Sequence, residues 1–315
     1  MRLLVTGGNG FIGGSVARAF AKAGWAVWSL SRRQPEPAPP GVRPLRLVWG
    51  AGGWARFAPA LAASRPVLVL HAIGTSSVSA SFANPRACLD ANTETYRDLL
   101  EAVRRTAPGA RVAMCSSASV YGNPVRQPMG EGDPRVPVSP YGEAKAAAED
   151  LGLAYARRYG LRTVSLRIFS LYGEGQRNLL VWELVQQALQ GKFPLTLRGT
   201  GEERRDYLHV SDLARALDAI RRFGPCRGEP YNVASGRSLA VREVALALAR
   251  HWGRTDSVHC RGEAQPGAAP LWEADIARLT ALAFRPAVTL EAGLERVIAW
   301  ARAAAAPCGH AEGMV

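Results

Sequence analysis

The chain of 315 residues, 48% hydrophobic and 21% charged, holds enough apolar material for one large domain or for two smaller ones that share a cleft. Its longest apolar runs, such as Pro66 to Ile73, fall well short of the roughly 20 residues that cross a bilayer, and the start carries no signal-peptide pattern, so neither a membrane span nor export is expected. A formal net charge of +13 admits nucleic acid, an anionic membrane surface or an anionic small substrate.

The basic residues are scattered as doublets (Arg32-Arg33, Arg104-Arg105, Arg157-Arg158, Arg204-Arg205, Arg221-Arg222) with no nucleic-acid motif beside them. An anionic small molecule is therefore the expected partner, and nucleic acid and membrane are not. The five cysteines, Cys88, Cys115, Cys226, Cys260 and Cys308, are odd in number and lack paired metal-ligand spacing. Reduced thiols, a cytoplasmic setting and no metal site follow as expectations.

Along the chain, Leu3 to Val5 predicts a buried strand that runs straight into a turn. The turn, Thr6-Gly7-Gly8-Asn9-Gly10-Phe11-Ile12-Gly13, places glycines at 7, 10 and 13. Ile12, Val16 and Phe20 then recur every four residues, which predicts an amphipathic helix with Gly24 suited to its C-terminal stop. Ala26 to Leu30 completes a strand–helix–strand unit. In that setting Gly7, Gly10, Phe11, Ile12 and Gly13 predict a dinucleotide site, because the backbone can approach a pyrophosphate at a helix N-terminus.

The end of the second strand is where an acidic residue normally binds the ribose 2′-hydroxyl of NAD. Ser31-Arg32-Arg33 stands there instead, a hydroxyl and two guanidinium groups that suit the extra phosphate of NADP. NADP is the expected cofactor, with NAD as the other possibility. Further strands are predicted at Leu45 to Val48, Val67 to Leu70, Val112 to Cys115 and Thr163 to Ile168. The alternation of strands and helices predicts an α/β fold, a Rossmann-type doubly wound parallel sheet. Pro35 to Pro40 reads as a surface loop.

Ser116 to Gly122 follows a strand end, where ligands bind in this architecture, and Ser117 can donate a hydrogen bond to a reacting oxygen. Ser139-Pro140-Tyr141-Gly142-Glu143-Ala144-Lys145 predicts a helix start capped by Ser139, with Tyr141 and Lys145 on one face. A tyrosine beside an ammonium and a cationic nicotinamide can exchange a proton with a sugar hydroxyl or carbonyl while hydride passes. Residues 1–168 are expected to form the dinucleotide-binding domain, with a returning strand near 230–236. Residues 169–302 are expected to form mainly a smaller C-terminal substrate-binding domain, and 303–315 a tail.

With these motifs in order, the sequence resembles the extended short-chain dehydrogenase/reductases, specifically the NAD-dependent epimerase/dehydratase family that acts on nucleotide-sugars. The resemblance covers roughly residues 1–300. It rests on the glycine turn, Asp90-Ala91-Asn92-Thr93, Ser116 to Gly122, Ser139 to Lys145, Leu166 to Gly173, and Arg205 to Asp212. It implies Ser117, Tyr141 and Lys145 as the catalytic set, Lys145 and Asn92 also at the cofactor, and Arg205 on the substrate diphosphate or its ribose. It further implies Ser117, Ser119 and Ser170 as sugar contacts and a homodimer built on the Tyr141 helix and the Asn92 to Val103 helix.

The chain also departs from the family pattern. Members that dehydrate the sugar carry Thr-Asp-Glu where this chain has Ser117-Ala118-Ser119, which argues against a 4,6-dehydratase. Ser170 replaces a common asparagine, Gln265 a common arginine, and Gly50-Ala51-Gly52 lacks the usual aspartate. Two catalytic readings remain. Arg32 and Arg33 tilt the expectation toward an NADPH-consuming reductase of a keto-sugar nucleotide, with an NAD-retaining 4-epimerase as the alternative. A non-catalytic dinucleotide sensor is the remote third, since such proteins typically lose the tyrosine or lysine that this chain keeps.

Overall fold

The computed structural model describes residues 1–33, 38–47, 53–75, 77–262 and 271–305. Val48, Gly50 to Gly52, Gln265, much of the Pro35 to Pro40 loop and most of the expected tail lie outside the described residues.

The first half of the chain lays down β1 (Arg2–Thr6), α1 (Phe11–Lys22), β2 (Ala26–Ser31), β3 (Val42–Arg46), α2 (Ala58–Ser64), β4 (Leu68–His71), α3 (Val78–Ala83), α4 (Pro85–Thr106) and β5 (Arg111–Ser117). Next come α5 (Pro140–Tyr159), β6 (Arg162–Ile168), β7 (Ser170–Tyr172), α6 (Leu179–Leu189), β8 (Leu195–Leu197), β9 (Arg204–His209), α7 (Val210–Phe223) and β10 (Arg227–Val233). The remainder is β11 (Ser238–Ala240), α8 (Val241–Arg250), β12 (Val258–Cys260), β13 (Leu271–Trp272), α9 (Ala277–Thr280) and α10 (Leu290–Ala305).

Seven strands form one sheet in the order β10-β6-β5-β4-β1-β2-β3, every neighbouring pair parallel. The central strands β1 and β4 are buried on both faces, so they read as near-continuous apolar runs. Along β1, Leu3 and Val5 face a core shared with α1 and α7, while Leu4 faces one shared with α2 and α4. This is the expected doubly wound fold. The expected strand at Leu45 to Val48 is shifted to Val42–Arg46. Its edge position tolerates Pro44 and leaves Arg43 and Arg46 exposed, so a search for apolar runs misplaces it.

Strand order reverses between β1 and β4, which opens a crevice beyond their C-terminal ends. Beyond β6 the chain leaves the sheet and later returns as β10, next to β6. The excursion and the C-terminal elements build a small sheet around β9, which pairs with β7, β11 and β13, and a two-stranded ribbon of β8 and β12. A separate apolar core joins α6, α8 and α10 there. Among the described residues no helix is long and apolar enough to cross a membrane.

Candidate active site

A cleft of about 1750 Å³ lies between the sheet and the smaller elements. Gly10 to Gly13 and Ala72 to Gly74 line it from the crevice at β1 and β4. Ser117, Ser119, Tyr141, Lys145, Ser170 and Arg205 line it as well. Residues from widely separated parts of the chain thus meet around one space.

The glycine turn has the shape a pyrophosphate needs. Gly7 adopts φ +73°, and a Cβ there would lie 2.6 Å from the Ala72 carbonyl oxygen. A Cβ on Gly13 would collide with the Gly7 carbonyl. α1 begins at Gly10 with no side-chain cap and no acidic residue in its first turn, so its N-terminal amides face the cleft without a competing carboxylate. These residues fit a dinucleotide.

Ser31 has a different task. Its buried hydroxyl accepts from the Asn9 amide at 3.1 Å and so braces the turn, while the Arg33 carbonyl accepts from the Asn9 side chain. Arg32 and Arg33 are exposed beyond β2, and neither lines the cleft.

The polar centre is built by β5 and α5. Ser139 caps α5, its hydroxyl accepting from Gly142 N at 3.1 Å, and Pro140 occupies the first turn. That start sets Tyr141 and Lys145 one turn apart on one face. Ser117 lies beside the Tyr141 hydroxyl, its own Oγ accepting from Ser119 N at 3.1 Å, and hydrogen bonding to it favours the ionised phenol. The Lys145 ammonium, largely buried at the cleft wall, donates to the Cys115 carbonyl at 2.8 Å and lies 5.7 Å from the centre of the Tyr141 ring. Burial pushes the Tyr141 phenol up to about 12, with the Ser117 hydrogen bond opposing, and burial pulls Lys145 below the ordinary lysine value.

Asn92, on α4, is buried and stands behind the cleft wall. Its amide donates to the Cys88 carbonyl at 2.9 Å and to Thr75 Oγ1 at 3.1 Å, and its Oδ1 has no partner. Gly74 separates it from the cleft. A Cβ on Gly74 would collide with Asn92 Oδ1 and sit 3.5 Å from Lys145 Nζ. Sequence reasoning missed Gly74, although a glycine just past β4 at the strand-order reversal was a usable signal.

Elsewhere the cleft is cationic. Arg177, Lys192, Arg198, Arg205 and Arg261 line it against Glu183, Glu202 and Glu203. Arg205 pairs in register with Trp272 across β9 and β13, its guanidinium 5.8 Å from the indole centre. No carboxylate from the serine segment or from α5 lines the cleft among the described residues. The arrangement can hold a dinucleotide at one wall and a phosphorylated ligand near the arginines, with a tyrosine between them for proton transfer.

A parallel sheet with a glycine cradle at its switch point and a tyrosine and lysine on the adjoining helix defines a dinucleotide-dependent enzyme of the short-chain dehydrogenase/reductase type. The chain belongs to the NAD dependent epimerase/dehydratase family, which it matches over residues 3–234. It is 35% identical over 271 residues to the UDP-glucose 4-epimerase of Azospirillum brasilense, covering 78% of this chain and 76% of that one. It is 29% identical over 315 residues to the dTDP-glucose 4,6-dehydratase of Streptomyces niveus, covering 96% and 93%. Among solved structures, MoeE5 in complex with UDP-glucose and NAD is similar at 30% identity and a TM-score of 0.83, covering 97% of this chain and 100% of that one.

Proposed function

We propose that this protein is an NAD-dependent nucleotide-sugar 4-epimerase acting on a UDP-hexose. The observation that carries this reading is the meeting of Ser117, Tyr141 and Lys145 at one cleft, to which the serine segment brings Ser117 and Ser119 and no carboxyl group. Elimination of water needs an acid and a base beside the sugar, and this segment has neither. The solved relatives MoeE5 and the dehydratase DesIV of Streptomyces venezuelae were both captured with NAD, which supports NAD over NADP here.

A dinucleotide held at Gly7, Gly10 and Gly13 would supply reversible hydride acceptance at sugar C4. Tyr141 takes the proton of the 4-hydroxyl on oxidation of the sugar and gives it back on reduction. Ser117 hydrogen-bonds the same oxygen and the Tyr141 hydroxyl, which holds the two in line. Lys145, beside the ring and anchored on Cys115, favours the phenolate. Arg205 takes the substrate diphosphate or its ribose, and Ser119 and Ser170 contact the sugar.

An NADPH-dependent ketoreductase is the second reading, favoured by Arg32 and Arg33 at the end of β2 with no acidic residue among them. One experiment separates the two. The purified protein is denatured, any released nucleotide is identified, and fresh protein is assayed for interconversion of UDP-glucose and UDP-galactose and of their uronate counterparts. Retained NAD with interconversion is the expected result. An empty site that prefers NADPH and reduces a 4-keto-sugar nucleotide overturns the epimerase.

A cytoplasmic homodimer goes with this reading. The helices α3 and α4 pack beside α5 and expose Val78, Phe82 and Leu89, a surface that a second copy can cover. Sedimentation analysis tests the assembly directly.

A further inference from the structure

Behind the cleft lies a charge cluster that the reaction above does not use. Glu149 of α5 and Arg167 of β6 are only 5% and 3% exposed. The guanidinium forks onto the carboxylate, with Nη2 to Oε2 at 2.8 Å and Nε to Oε1 at 3.0 Å. The Ser116 hydroxyl donates to the same Oε1 at 2.6 Å, and Ser116 sits directly opposite Arg167 in the β5–β6 ladder. Arg135 reaches the carboxylate from the loop before α5, with Nη1 to Oε2 at 3.4 Å. Arg167 also donates to the Tyr121 hydroxyl at 2.9 Å, which in turn donates to Asn232 of β10 at 2.7 Å.

Three members of this cluster reach the cleft or adjoin a group there. Ser116 lines the cleft beside Ser117, Glu149 follows Lys145 by one helical turn, and Arg167 precedes Ile168, which lines the cleft. A buried ion pair is a weak net contributor to stability, because desolvation of both charges offsets their attraction. What it supplies is direction. Forked bonds fix the carboxylate in angle as well as distance, and the third bond ties it to the strand that carries the serine.

We propose that Glu149 is a positioning residue for proton and hydride transfer: held by Arg167, its carboxylate fixes Ser117 relative to Tyr141 and Lys145 through Ser116 and one turn of α5. This rests on the oxidoreductase reading above, in either its epimerase or its reductase form. The anion also favours the charged form of Lys145, which burial opposes.

The test begins with turnover of the parent protein on nucleotide-sugars; its absence in both reactions defeats the functional reading. Given turnover, three variants are compared with the parent: Ser116→Ala, Glu149→Gln, and the triple variant Ser116→Ala/Glu149→Leu/Arg167→Met, which replaces the cluster with apolar groups. In each, kcat is expected to fall roughly tenfold to a hundredfold, since misplacement of reacting groups by about 1 Å costs that much, with KM within about threefold of the parent. The melting temperature falls in Glu149→Gln, where Arg167 stays buried without its counter-charge, and is regained in the triple variant. Should the triple variant regain both melting temperature and parental kcat, the cluster is structural only and the proposal fails. Parental kcat in Ser116→Ala also overturns it, and that variant serves if Glu149→Gln does not fold.

Discussion

The Lys145 ammonium donates a hydrogen bond to the main-chain carbonyl of Cys115 across 2.8 Å, so the end of β5 and the first turns of α5 are joined at the wall of the cleft. The ammonium is buried and has no carboxylate bonded to it among the described residues, a costly state for a charge that serves no purpose. Lys145→Met therefore loses turnover by about 100-fold or more while the protein folds with an equal or higher melting temperature. Turnover and thermal unfolding measured on one preparation check both halves. A parallel loss of the two would make Lys145 structural.

For Tyr141 the direction of the pH effect follows from its surroundings. Burial pushes its phenol up to about 12 in the protein without ligand, and the Ser117 hydrogen bond works against that rise. The raised value shrinks the phenolate fraction near neutral pH, so kcat/KM for oxidation of the sugar rises with pH. Ser117→Ala removes the opposing bond and shifts that rise to still higher pH. Ultraviolet titration of the phenol, with Tyr141→Phe as the blank, reads the same shift without turnover. Tyr141→Phe itself lowers kcat by about 10²- to 10⁴-fold, the usual worth of a placed acid or base.

Gly74 marks a tight passage between the cleft and the buried Asn92. Gly74→Ala puts a methyl group against Asn92 Oδ1 and near Lys145 Nζ, on a backbone at φ +150°. The Asn92 side chain must move, whereas Lys145 Nζ stays in ordinary contact, and turnover and retained nucleotide should fall together. The neighbouring exposed Ser77, the cap of the short helix α3, provides a control whose alanine variant leaves retained nucleotide unchanged.

His71, the last residue of β4, predicts an acid limit to stability. Its ring is buried against Tyr96, its Nδ1 meets Thr6 Oγ1 at 2.9 Å, and burial, helped by Lys145, lowers it to about 3. An unfolded histidine takes its proton near pH 6.5, so the folded state binds fewer protons between those values. The stabilising effect is full above about 6.5 and is lost as pH falls toward 3, by an amount on the order of a few kcal/mol. His71→Gln should flatten the decline of melting temperature between pH 7 and pH 4. An unchanged acid limb would assign that sensitivity to other groups.

The sheet was legible wherever burial on both faces forces an apolar run, as at Leu3 to Val5 and Leu68 to Leu70. The edge strand Val42–Arg46 was misplaced because one side of it meets solvent and carries Arg43 and Pro44. The three-residue strands β7, β8, β11 and β12 are too short to show any period and exist only through their partners. At the site, Ser117, Tyr141 and Lys145 stood out because each lies in a dense local motif. Glu149 and Arg167 did not, since their meaning depends on a meeting of α5 with β6 that spacing alone does not reveal. Ser31 was read for its chemistry, whereas its hydroxyl serves the adjoining turn.

The position of β10 bears on how the protein is made. On the ribosome, the seventh strand lies 59 residues beyond the end of β6, and synthesis at about 5 to 20 residues per second takes roughly 3 to 12 s to produce that stretch. During that interval β6 presents a bare edge, and the buried hydroxyl of Tyr121 waits for Asn232. The nascent chain therefore passes through a stage in which the nucleotide cradle has been synthesised but the sheet is open on one side.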